Sequence, residues 1–385
     1  MRRKGINLHV YPAPIINESR IFRQVAAIGN AGLFDEIIIC GQGRNDLPRK
    51  QEIGPAQHIV RIGQAEKERS SSALRRIWEQ LRWSFQVFRE WAQEPVNVVN
   101  AHSVAVLPVC HAIAKRSGAR LIYDAHELET ETSTSRGLQR KIFKAIERLY
   151  ISRCDTVFVV NHSIATWYRE EYPGVTVTAI RNVPEQPSGS VRGIDLRRST
   201  GIAENDRLFV HVGNIAAHRH IPEILQTFAD RAGGRDHVVF LGSGPLEALV
   251  KDHASRYQNI HHQPSVSSEA VVDTIVSCDV GLCLIESTCL SYALALPNKA
   301  IEYSRAGVPF FYSDLVEVDV LLKEGFNDWK IDPSTGGLGE ALNRLDDLRI
   351  ATSRKRLAQI NLPSWEEDRE CMIAEYRRVL AWGPE

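Results

Sequence analysis

No run of this 385-residue sequence approaches the ~18 continuous apolar residues of a membrane-spanning helix. The opening Met-Arg-Arg-Lys leads straight into Gly5-Ile6-Asn7-Leu8-His9-Val10, a strand-like stretch with no apolar signal core. Neither secretion by a signal peptide nor integral insertion is therefore expected. Net charge is missing too. Lys+Arg and Asp+Glu each number 47, so no global field attracts nucleic acid or anionic lipid, and such a partner would need a local patch. Paired cysteines are also wanting. The seven, at 40, 110, 154, 278, 283, 289 and 371, are odd in number and include no Cys-x-x-Cys. That argues against a disulfide framework and a zinc ribbon, and fits a reducing cytoplasm. His218, His220, His261 and His262 define no ligand face, and no Asp-x-Asp accompanies them, so no metal is expected. No short-period repeat occurs.

What is present is ordinary globular composition, 43% hydrophobic and 24% charged, in a chain long enough for two domains. Short apolar runs alternate with helical patterns. Strands are predicted near 5–11, 36–40, 58–62, 97–101, 119–124, 155–160 and 175–180, with helices near 19–31, 72–92, 103–117, 138–152 and 163–171. Such alternation implies right-handed crossovers and a mostly parallel sheet. The stretch 184–206, with Pro184, Pro187 and a Ser-Gly-Ser run, reads as a linker. A second series follows. Its strands are predicted at 207–212, 237–241, 259–262, 279–284, 309–311 and 328–331. Its helices fall at 221–231, 245–256, 268–277, 298–306, 315–323 and 337–347. The last helical pattern starts after Ser364, with Glu367 at the capping-box offset.

The most informative stretch is Pro297-Asn298-Lys299-Ala300-Ile301-Glu302-Tyr303, followed by Ser-Arg-Ala-Gly-Val-Pro. Asn298 suits an N-cap, Gly307 a helix end, and Pro309 bars continuation. Lys299 then falls in the first turn, where a cation opposes the helix dipole by roughly 0.3–1 kcal/mol unless an anion faces it. A phosphate would resolve that conflict, and Glu302 one turn on could accept from sugar hydroxyls. A solvated surface lysine is the plainer account of the pair taken alone.

Together with Tyr123-Asp124-Ala125-His126-Glu127, Arg181-Asn182-Val183-Pro184, Val212-Gly213-Asn214, Leu241-Gly242-Ser243-Gly244-Pro245, Cys278-Asp279-Val280-Gly281-Leu282 and Ser364-Trp365-Glu366, that segment resembles the family-4 retaining glycosyltransferases of the GT-B fold. The resemblance implies an α/β chain of two Rossmann-like, doubly wound parallel-sheet domains facing a central cleft. Residues 1–183 would form the acceptor domain, 184–365 the donor domain, and the 366–385 helix would pack back on the first. It implies transfer of a sugar from a nucleotide-diphosphate donor to a glycan or lipid-linked hydroxyl, in cell-surface polysaccharide synthesis, with no metal or other cofactor. A GT-B epimerase and a non-catalytic GT-B binding subunit are the alternatives.

The site residues implied are His126 on the reacting sugar and Arg219 and Lys299 on the diphosphate. Donor contacts fall to Gly213, Asn214, Gly244, Val266, Asn298, Lys299 and Glu302. The chain departs from the family pattern in two places. Asn214 stands where an arginine is common, and His220 follows Arg219 where lysine or glycine is commoner. The first of two glutamates, separated from Glu302 by seven residues, is replaced by Leu294. Gly242-Ser243-Gly244 lacks the third glycine of a dinucleotide fingerprint, since Glu247 stands there. His102 reads as an ordinary strand-end histidine. Leu74, Ile77, Trp78, Leu81, Phe85 and Phe88 form a helical stripe that is expected to pack on the sheet. Peripheral membrane contact through 74–91 and 138–149, at the inner face, is the secondary reading.

Overall fold

The structure, a computed structural model, describes residues 5–16, 18–63, 73–133, 135, 137–184 and 192–381. The 185–191 part of the expected linker and residues 382–385 lie outside them. The chain forms two compact units. The first comprises the described residues of Met1–Asn182 and Glu366–Glu385, the second those of Val183–Trp365.

The first unit is built on β1 (Ile6–Val10), β2 (Glu36–Gln42), β3 (Lys50–Gly54), β4 (Gln57–Ile62), β5 (Val96–Ala101), β6 (Arg120–Ala125), β7 (Thr156–Val159) and β8 (Val177–Ala179). Their order is β3-β4-β2-β1-β5-β6-β7-β8, parallel except for β3, which runs antiparallel to β4. Central strands such as β1 and β7 are buried along their whole length, as expected where helices cover both faces. β3 was not expected, because Lys50-Gln51-Glu52 has no apolar alternation; it is an exposed edge held by pairing with β4.

The second unit is built on β9 (Arg207–Val212), β10 (Asp236–Leu241), β11 (Ile260–Gln263), β12 (Val280–Cys283) and β13 (Phe310–Tyr312), all parallel in the order β11-β10-β9-β12-β13. The strand expected at 328–331 is instead a 3₁₀ turn, Asn327–Trp329, with one bridge from Lys330 to Tyr312. Trp329 drives this. Its indole sits in the core and donates to Ser353 Oγ at 3.0 Å, so the backbone turns to deliver it. Three helices were not expected, among them the single turn Leu290–Ala293. Leu196–Thr200 lies inside the 184–206 stretch, capped by Asp195 on Arg198 N–H, and Asp347–Leu357 is capped by Asp346 on Arg349 N–H.

The 73–91 helix packs opposite to expectation. Trp83, Val87 and Trp91 are buried, whereas Ile77, Trp78, Leu81 and Phe85 are 47–63% exposed. The two tryptophans off the long stripe make the better anchor. Trp83 N–H donates to Ile62 O at 3.1 Å, which fixes that face inward.

Candidate active site

In the second unit the strand order turns at β9, whose neighbours β10 and β12 lead in opposite directions. Ligands of open α/β sheets bind beyond the carboxyl ends at such a point. The loop after β9 begins with Gly213 at φ +94, and pairing continues beyond the strands. Gly213 N–H donates to Leu241 O (2.9 Å), Ile215 N–H to Ser243 O (3.0 Å) and Leu246 N–H to Ile215 O (3.0 Å). A Cβ at Gly242 would stand 1.9 Å from Gly213 O, and one at Gly244 2.5 Å from Ile215 O. Only glycine lets the two loops approach so closely. Ser243 Oγ lies 3.3 Å from Ser265 Oγ, which brings the loop of Val266 alongside.

The helix Asn298–Arg305 starts differently from the expectation. Pro297 holds the extended entry conformation, so Asn298 is already helical and its exposed side chain makes no cap. The far end matches it: Gly307, at φ +67, donates to Ser304 O and Val308 to Tyr303 O, a Schellman closure. Tyr303 fastens the helix to the sheet. Its hydroxyl donates to Val210 O at 2.9 Å and accepts from Val212 N–H at 3.1 Å. Its ring lies on Gly281, where a Cβ would meet ring atoms at 2.7 Å.

Lys299 and Glu302, three residues apart on this helix, are both buried. Lys299 Nζ has no hydrogen-bond partner. Burial brings its pKa down to about 8; Cys283 opposes this, Arg219 adds to it and Glu302 opposes it. Burial raises Glu302 to about 7 against the pull of Lys299 and Arg305. His211, which sequence reasoning passed over, is held well below the usual imidazole range by burial and then by Lys299. Its Nε2 lies 3.4 Å from Asn214 O. Arg219 is half-buried, its guanidinium 5.5 Å above the Tyr292 ring, and Nη1 donates to His218 O. His220 takes φ +52, a conformation that glycine adopts freely. Glu286 reaches His218 Nδ1 at 3.1 Å, beside Arg219. An unpaired buried ammonium costs several kcal/mol, roughly, unless an anion completes it. Among the described residues of the second unit, this is therefore the place built for one.

In the first unit the order turns at β1, and one face of β1, β5 and β6 carries three polar pairs. They are Asn7 and His9, Asn100 and His102, and Asp124 and His126. Asn7 Nδ2 donates to Val98 O and to Asn100 Oδ1, which fixes Asn7 Oδ1 as acceptor for His9 Nε2–H at 2.8 Å. Burial keeps His9 well below its ordinary value, so it is neutral and its Nδ1 accepts from His102 Nε2 at 2.8 Å. His102 is itself lowered to about 4 by burial, against Asp124, whose Oδ2 lies 3.0 Å from its Nδ1. That atom lies 3.0 Å from His126 Nε2, and Asp124 Oδ2 lies 3.4 Å from the same nitrogen. His126 Nε2 thus faces the His102 ring and the Asp124 carboxylate together. Burial would raise Asp124, but Arg20 overrides it and holds the carboxyl well below its usual range; Gln24 also donates to it at 2.8 Å. His102, Asp124 and His126 are close enough to hold a metal ion. Arg20 and Gln24 also bond the Asp124 carboxylate. His102 is thus a member of the His126 site that the sequence reading left as ordinary.

Residues 31–183 match the profile of Glycosyltransferase Family 4. N-acetyl-alpha-D-glucosaminyl L-malate synthase of Bacillus anthracis is 21% identical over 297 residues, 74% of this chain and 75% of that protein. This chain is a glycosyltransferase, similar over residues 31–183 to family 4. Its fold is GT-B, as in the solved structures it resembles. Sucrose-phosphate synthase of Thermosynechococcus elongatus superposes with TM-score 0.75 at 14% identity, covering 99% of this chain and all of that one. Anabaena HepE in complex with UDP-glucose gives 0.66 at 11% identity, over 97% and 100%. An E. coli trehalose-6-phosphate structure bound with UDP-2-fluoro glucose gives 0.68 at 12%, over 99% and 100%. Within this glycosyltransferase the residues read as donor contacts fall in four elements of one unit: the loops after β9, β10 and β11, and the Asn298–Arg305 helix.

Proposed function

We propose that the enzyme transfers a sugar, with retention, from a nucleoside-diphosphate sugar to a hydroxyl of a glycan or lipid-linked acceptor in cytoplasmic polysaccharide assembly. The observation that carries this is Lys299, a buried ammonium without a partner in the first turn of its helix, close enough to Arg219 for each to feel the other's charge. Lys299 and Arg219 would neutralise the departing diphosphate, without a metal ion. Gly213 and Asn214, Gly244 and Val266 offer main-chain groups to the nucleotide. Asn298 opens the phosphate helix, and Glu302 accepts from donor hydroxyls. The bond from the anomeric carbon to the phosphate oxygen breaks, and the acceptor oxygen bonds to that carbon on the same face. The acceptor's proton leaves on the diphosphate. His126 faces the reacting sugar and hydrogen-bonds one of its hydroxyls. The HepE and E. coli structures are named as bound to UDP-glucose and UDP-2-fluoro glucose, which favours a uridine donor as the first probe.

The test is a thermal-shift screen of nucleoside diphosphates and their sugars. Ligand at about 100 times Kd stabilises by about 2.7 kcal/mol. Stabilisation of wild type that is absent from Lys299→Ala supports the reading. Stabilisation that persists undiminished in Lys299→Ala overturns the phosphate assignment.

A further inference from the structure

The outward side of the 73–91 helix is the most apolar open surface among the described residues. Ile77, Trp78, Leu81 and Phe85 recur at helical spacing with no covering element, and Arg82 stacks on Trp78 at 5.6 Å. The helix carries four arginines against Glu79 and Glu90. Helix 107–117 packs against it and, on its other side, against helix 137–150. Right-handed crossovers put all three on one face of the sheet. Helix 137–150 exposes Leu138, Ile142 and Leu149. Its four basic residues share the helix with one acid, Glu147, which is turned inward to accept from Tyr168 (2.7 Å) and Tyr172 (2.8 Å), while Arg140 and Lys144 pair with Glu131 and Arg148 with Glu171. Cations thus flank the exposed apolar side chains, several of them already paired with carboxylates.

A second observation lies at the other end of the same helix. A cavity of about 800 Å³ is lined by Arg44, Arg49, Arg61 and Arg89, with Glu90 the one carboxylate among its described lining residues and Asp46 beside it paired to Arg44 at 2.5 Å. Arg49 pairs with Glu90 at 2.8 Å. Arg61 is buried and gives its hydrogen bonds to Pro14 O, Pro48 O, Ile15 O and Gln51 Oε1, so no carboxylate balances its charge. The pocket holds a surplus of positive charge at one end of an exposed apolar helix face.

We propose that this face docks on an anionic phospholipid bilayer, with the four side chains of the 73–91 helix in the acyl boundary and a headgroup phosphate in the arginine pocket. Tryptophan at the headgroup level, arginines above it and aliphatic side chains below match the layering of a bilayer surface. Docking would deliver a lipid-linked acceptor; it rests on the transferase reading for that purpose alone.

The test is co-sedimentation of the full chain with vesicles of phosphatidylcholine alone and of phosphatidylcholine with phosphatidylglycerol in equal parts. Binding to the anionic vesicles, weakened by salt, is expected. The triple variant Trp78→Ser, Leu81→Ser, Phe85→Ser should lose roughly a hundredfold in affinity, given the apolar area withdrawn. These residues are exposed, so its melting temperature should match wild type. Arg89→Ala should lose the preference for anionic over neutral vesicles. Soluble glycerol phosphate that stabilises the protein without any vesicle binding would show a free-phosphate site and overturn the proposal. A wild-type dimer that the triple variant dissociates, again without vesicle binding, would assign the face to a second copy of the chain and overturn it equally. Nucleotide stabilisation, followed in parallel, reports the donor site separately, so failure of either reading is seen by itself.

Discussion

An ammonium held in a protein interior without a counter-charge destabilises whatever contains it, and Lys299 is such a group. Replacing it by methionine, similar in volume and uncharged, should stabilise the ligand-free enzyme by about 1–3 kcal/mol while abolishing nucleotide binding. A melting temperature that falls in Lys299→Met would mean that the amine has a structural partner. The pH dependence has a definite sign. The folded pKa of about 8 lies below the ordinary 10.5, so between these values the unfolded chain binds more protons and ligand-free stability rises with pH. A bound diphosphate returns the proton. Nucleotide affinity should therefore fall above pH 8, approaching about tenfold per unit, with proton uptake visible by calorimetry in buffers of different ionisation enthalpy. Lys299→Arg should flatten that dependence. In the other unit, His126→Ala should cut turnover by about 10²–10⁴-fold and leave nucleotide affinity unchanged. Equal loss of both would indicate a structural role. His102 escaped notice because a histidine at a strand end is commonplace. The signal was there as three triplets, Asn7-Leu8-His9, Asn100-Ala101-His102 and Asp124-Ala125-His126, each at a strand's carboxyl end.

At the scale of elements, the Pro297–Pro309 segment was legible because each of its residues has a local job. Pro297 sets the entry, Gly307 closes the end, and Tyr303 ties the middle to β9. The helix face pointing inward was harder. The longest apolar stripe of residues 74–91 faces out, since periodicity shows that a face exists and not what covers it. β3 was silent because its residues are polar and only its partner strand makes it one. The fastening by Tyr303 makes a prediction that concerns the helix and not the ligand. Tyr303→Phe strands Val212 N–H inside the core and should cost about 1–3 kcal/mol. It should also weaken nucleotide binding, although Tyr303 offers the ligand no free group, because the helix that positions Lys299 loses its tie. Gly281→Ala should do the same from the opposite side, by pushing on the ring. Nucleotide affinity unchanged in both, as read by calorimetry, would show that the helix holds its place without Tyr303.

At the scale of the whole molecule, the two alternating series and the parallel sheets were readable from strand–helix rhythm, since neither depends on side-chain detail. Where the last helix belongs is not a matter of rhythm. Trp365–Ala381 has weak apolar patterning, and its place in the first unit comes from particular contacts far away in sequence. Tyr376 is buried, packs edge-on to Phe34 and takes a hydrogen bond from Asn100 Nδ2 at 2.6 Å. Arg181 grips Asp368 through Nε. Asn100 is also the far end of the chain of side chains leading to His126, so the C-terminal helix closes the back of that site. Tyr376→Phe leaves the Asn100 amide without its partner in the core and should cost about 1–3 kcal/mol. The loss should be local. Hydrogen exchange should quicken in β1 and β5 and stay unchanged in β9, β10 and β12, with nucleotide affinity intact and turnover reduced. Faster exchange in β9, β10 and β12 to the same extent would show that the helix supports both units, and would remove the argument that Tyr376 acts on catalysis through Asn100, Asn7 and the histidines.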